Sequence, residues 1–133
     1  MSYHITRTVT LPFDAAVAAT TAALQRHGFG VLTEIDVQAT LKKKLDVTFR
    51  PYRILGACNP AFAYKALQAE DRIGTMLPCN VILQQRDGGM VEISAVDPIA
   101  SMQSIDNPAL ADIAGEVRRM LQEVMEDIAA ARG

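Results

Sequence analysis

Two short segments carry the residues best suited to chemistry: Ile54-Leu55-Gly56-Ala57-Cys58-Asn59-Pro60 and Ile73-Gly74-Thr75-Met76-Leu77-Pro78-Cys79-Asn80. Each places a Cys-Asn pair beside a proline. A thiol becomes a nucleophile, a redox centre or a soft-metal ligand as its thiolate, so the surroundings of the sulfur decide its role. Cys58 precedes Asn59-Pro60, which reads as an N-cap followed by proline at the first helical position. A sulfur at the start of a helix meets unpaired backbone N–H groups and the positive end of the helix dipole, and both favour the thiolate. Met76, three residues before Cys79, adds a thioether, so that Cys58, Cys79 and Met76 form a candidate soft donor set for Cu(I). Zn(II) is the weaker metal candidate, because there is no C-x-x-C and the histidines His4 and His27 lie in separate N-terminal elements. The candidate ligand-binding residues are Cys58, Asn59, Pro60, Cys79 and Asn80. Against all of these stands a packing role, since free cysteine is among the most buried residue types and often behaves as a small hydrophobe.

The elements that must position these residues can be read from periodicity. Tyr3 to Leu11 alternates around Ile5, Val9 and Leu11 as a strand, and Pro12 sits where a first helical turn would begin. Phe13, Val17, Thr20/Thr21 and Leu24 follow at helical spacing up to a stop at Gly28, and Gly30 to Asp36 reads as a second strand. Val37 to Asp46 is helical, with Asp36 as its N-cap. A third strand, Tyr52 to Ala57, leads into a helix from Asn59 to about Glu70. Cys79 to Gln85 and Met90 to Val96 flank Asp87-Gly88-Gly89, a strong hairpin signal. A loop or single turn after Asp97-Pro98 precedes a closing helix from Pro108. There Leu110, Ile113, Val117, Leu121, Val124 and Ile128 form one apolar stripe. Met120 and Met125 flank that stripe as packing residues.

The pattern predicts one α+β domain over residues 1–133: a two-layer sandwich with about five strands in one mostly antiparallel sheet and about four helices on one face. The sheet's other face then needs a cover, and a homodimer pairing two such faces supplies it. Whether Cys58 and Cys79 meet depends on the direction of the strand that carries Cys79. An antiparallel strand makes them neighbours and a parallel one separates them by a strand length.

Composition narrows the classes of function. Thirteen Lys and Arg against fifteen Asp and Glu give a net charge of −2, with no whole-chain footprint for nucleic acid or an anionic membrane. Half the residues are hydrophobic, which excludes disorder, yet no run of about 18 apolar residues could span a bilayer. The N-terminus lacks the layout of a secretory signal, so a cytoplasmic location with reduced thiols is expected. Gly28-Phe29-Gly30 and Asp87-Gly88-Gly89 are not phosphate loops, and no serine has a G-x-S-x-G context. Lys42 to Lys44 with Arg50 and Arg53 read as a solvated face more than as an anion site. Asp97 and Asp106 are loop carboxylates, and Asp97 before Pro98 suits turn chemistry.

The blocks Tyr52 to Pro60, Ala66-Leu67, Ile73-Gly74, Leu77-Pro78-Cys79-Asn80 and Asp97-Pro98 resemble the domain of unknown function 302 family, over most of the chain. The resemblance implies a small bacterial or archaeal α+β domain, often a homodimer, with no established reaction and no catalytic residues to carry over. Three readings follow. The first is a homodimeric binding or sensing domain with a ligand or soft-metal site around the two Cys-Asn segments. The second is a thiol-dependent redox enzyme or sulfur carrier with Cys58 as nucleophile and Cys79 as resolving partner. The third is an interaction domain with both thiols in its core.

Overall fold

The computed structural model describes residues 2–130; Met1 and residues 131–133 of the single-domain span lie outside the described residues. Five strands, β1 (His4–Val9), β2 (Gly30–Asp36), β3 (Tyr52–Cys58), β4 (Cys79–Gln85) and β5 (Val91–Val96), form one sheet in the order β1-β5-β4-β3-β2. Every neighbouring pair is antiparallel. The Asp87–Gly89 turn that joins β4 to β5 has Gly88 and Gly89 at φ 74° and 75°, a backbone that glycine adopts without steric cost.

Alternation along the strands gives the sheet two unlike faces. One carries Leu55, Ala57, Val81, Leu83, Val91, Ile93 and Ala95, all at or below 1 % exposure, and this is the main core. Onto it pack α1 (Phe13–Arg26) and α5 (Pro108–Ala130). In α5, Leu110, Val117, Leu121, Val124 and Ile128 are buried along the expected stripe, with Met125 beside them at 0 % exposure. Each such side chain contributes about 1.5–3 kcal/mol on leaving water. His27 closes α1, and its Nε2 lies 3.1 Å from Asp127 Oδ2, an oxygen that Arg26 also approaches at 3.1 Å. Arg26, then His27, hold the Asp127 carboxyl below the usual range. The remaining helices are α2 (Val37–Leu45), capped by Asp36, α3 (Pro60–Ala69), and the short α4 (Pro98–Met102) where the sequence allowed a single turn. The result is the two-layer α+β sandwich.

The other face reads across the strands in rows. Ile35, Ile54, Ile82, Ser94 and Thr6 stand side by side from β2 to β1; Tyr52, Gln84, Glu92 and Thr8 form the next row. The face is therefore apolar toward β2 and polar toward β1.

Candidate functional site

The sequence leads the chain out of β3 through Cys58 and straight into α3. Asn59 stays extended and its Oδ1 accepts the Phe62 backbone N–H at 3.2 Å, while Pro60 occupies the first helical position and is exposed. The cap places Cys58 at the mouth of the helix, as the sequence suggests. Cys79 opens β4, and Ala57 is directly opposite it in the antiparallel β3–β4 ladder. The antiparallel alternative is therefore the one adopted, and both cysteines sit at the same end of the strand pair. Both are free thiols.

They share a cavity of about 40 Å³ between that end of the sheet and α3, α4 and α5. Its walls include Phe29, Phe62, Met102, Ala114 and Val117, so both cysteines line an apolar space large enough for one or two water-sized groups. Gly28 underlies this corner at φ 87°, and a β-carbon there would press on Asn59 Nδ2 at 3.2 Å.

The two thiols are not equivalent. Cys58 is partly exposed; Cys79 is 9 % exposed and belongs to the main core. Burial, and then the proximity of Cys58, push the Cys79 thiol from 9.0 up to about 11. It is a neutral S–H at neutral pH, poor as an attacking thiolate. Its raised value also links to stability. Between about pH 9 and 11 the unfolded chain releases this proton and the folded chain keeps it, so the stabilisation is present below pH 9 and is lost as pH rises toward 11. Chemical denaturation at pH 8 and pH 11 is expected to show a loss of roughly 2–3 kcal/mol that Cys79→Ala largely removes.

Other candidates lie elsewhere. Met76 is 42 % exposed in a 3-10 turn and does not line the cavity. Asn80 is exposed on the sheet's other face, because it follows the inward-facing Cys79 and strand side chains alternate. Among the described residues, no group of three or more His, Cys, Asp or Glu stands together to hold a metal ion. No described helix is long and apolar enough to cross a membrane.

The family model for the domain of unknown function DUF302 matches residues 5–128. The chain belongs to this family. A crystal structure of an uncharacterized conserved DUF302 protein from Bacillus stearothermophilus is similar to this DUF302 domain, with a TM-score of 0.89 at 27 % identity, over 96 % of this chain and 99 % of that one. No curated protein matches. The family membership carries the fold and leaves the activity to be argued from this domain's own residues.

Sequence reasoning missed two features of the DUF302 chain. Phe29, Met102 and Val117 come from three distant elements to wall the thiol cavity. A second depression, of about 460 Å³, lies on the polar part of the open sheet face, where Asn80 and His4 meet Gln84, Glu92 and Ser94, to which the sequence gave no site. A periodic apolar stripe could have signalled Val117. The groove has no local signal, because its neighbours are set by strand register.

Proposed function

We propose that this protein is a homodimeric binding or sensing domain that takes a small soft ligand or a Cu(I) ion at Cys58 and Cys79. The observation that carries this reading is the shared cavity: two free cysteines line one small apolar space beside a helix N-terminus. Cu(I) suits it better than Zn(II), since two thiolates satisfy a linear soft ion, whereas a structural zinc wants four ligands. Binding would have to displace the Cys79 proton, so the affinity should climb with pH. Asn59 fixes the helix that sets the Cys58 sulfur; Met76 and Asn80 take no part in this cavity. Dimerisation is supported by the apolar half of the open face, where Ile35 is 48 % exposed and registers directly against Ile54. A second copy on that half buries what a lone chain leaves wet.

A purely structural reading has one observation in its favour, the membership of Cys79 in the main core. Native mass spectrometry separates the two. Protein purified without chelator and then offered Cu(I) is expected to appear as a dimer holding one ion per chain, and Cys58→Ser is expected to lose it. A bare species that ignores Cu(I) and Zn(II) sinks the metal site, and a monomer under dilute native conditions sinks the dimer. Alkylation of Cys58 at pH 6 faster than free cysteine would favour the thiol-enzyme reading instead.

A further inference from the structure

The polar half of the open sheet face is built differently from a bare surface. Its floor is Ile82 with Ser94 beside it in the same row, and Tyr3 and Tyr52 also line the groove. The polar side chains are already tied to one another. His4 Nδ1 lies 2.5 Å from Thr6 Oγ1, which lies 2.8 Å from Ser94 Oγ. Gln84 Nε2 donates to Glu92 Oε1 at 3.2 Å, and Arg86 donates to the same oxygen at 3.2 Å. Arg50 donates to Gln84 Oε1 at 3.1 Å with its guanidinium 4.4 Å from the centre of the Phe49 ring. Gln84 is 7 % exposed and Ser94 9 %, so this network is held by packing and is not a set of loose surface groups.

We propose that this groove binds a neutral polyhydroxylated ligand, a mono- or disaccharide. Three observations select that class. First, the one Lys or Arg that lines the groove among the described residues, Arg86, is matched by Glu92, and Arg50, which does not line it, turns to Gln84 and Phe49. Second, planar amides, a carboxylate, a guanidinium and hydroxyls, fixed by their own hydrogen bonds, set donors and acceptors along the groove. Asn80 and Tyr52 line the groove, and neither side chain has a hydrogen bond among the described residues, so both are free to pair with a ligand. Third, Tyr3 and Tyr52 add aromatic surface to the lining, against which the C–H bonds of a sugar can pack, and a volume of about 460 Å³ lies within the range of small-ligand sites. This site shares no lining residue with the thiol cavity and only Ile82 with the isoleucine half of the face, so its test is read apart from theirs.

The test is a titration of ¹⁵N-labelled protein, followed by amide chemical shifts, with glucose, galactose, maltose, cellobiose and lactose, and with inorganic phosphate as the charged control. At least one sugar is expected to give saturable shifts centred on Asn80, Gln84 and Ser94, and none for phosphate. Asn80→Ala, whose side chain makes no internal hydrogen bond, should keep a native spectrum and bind that sugar about tenfold more weakly, as for one lost hydrogen bond. The proposal is overturned if none of the five sugars gives a saturable shift, or if Asn80→Ala binds unchanged. It is also overturned if phosphate shifts Arg86 and its neighbours, which would make this an anion site. Groove signals that move on dilution alone would overturn it too, because a second copy of the chain would then occupy the groove.

Discussion

Asp97→Ala is expected to lower the stability of this domain by about 1–3 kcal/mol, read as a drop in denaturation midpoint at unchanged slope. The carboxylate is 5 % exposed and serves two masters. Oδ1 accepts from the Ile99 and Ala100 backbone N–H groups at 2.9 and 3.4 Å, capping α4. Oδ2 accepts from Arg118 Nε at 2.9 Å, which ties the end of β5 to the long α5. Loss of the cap costs about 1–2 kcal/mol. The ion pair adds up to about 1 kcal/mol more, discounted because Arg118 is 38 % exposed and screened by water. Asp97→Asn keeps an acceptor for the cap and removes the charge, so it should fall between wild type and alanine. A double-variant cycle with Arg118→Ala isolates the pair, and a coupling near zero would leave the cap as the whole effect.

Gly56→Ala is expected to cost about 1–3 kcal/mol although it adds a single methyl group to a strand. A β-carbon there would stand 2.2 Å from Thr33 Oγ1 and 2.7 Å from Pro78 Cγ. Thr33 can rotate its hydroxyl away, but the proline ring is rigid and leads directly into Cys79. Adding Thr33→Ala should therefore recover only part of the loss. Full recovery would show that the proline gives way freely, and a wild-type midpoint for Gly56→Ala alone would mean that β2 and β3 separate without cost.

Much of the architecture was legible because it rests on local chemistry. Asn59-Pro60 and Asp36 declare their helices, Asp87-Gly88-Gly89 declares its hairpin, and the α5 stripe follows from helical spacing. The pairing of strands was not local. Only the β3–β4 register decides that Ala57 faces Cys79, and so brings the two thiols to one cavity. Period-two alternation was nevertheless enough to separate Cys79 from Asn80, since successive strand residues cannot face the same way. Grouping both into one site overlooked it. Asp97 is the converse case: beside Pro98 it reads as turn chemistry, which its cap on α4 bears out, but its second partner, Arg118, lies 21 residues away on another element. The contact between Thr6 and Ser94 spans 88 residues, and no motif foretells it.

The strand order also fixes a sequence of events in time. The first strand to be synthesised is β1, yet its only neighbour in the sheet is β5, the last. By then β2, β3 and β4 can already form a three-stranded meander from residues close in the chain. Closing β1 onto β5 must join segments almost ninety residues apart, and the loop entropy of that step is met only once both strands exist. A chain emerging from the ribosome therefore carries β1 as an unpaired edge until β5 has emerged as well. Its polar open-face residues, His4, Thr6 and Thr8, suit a strand that must wait in water without recruiting another chain.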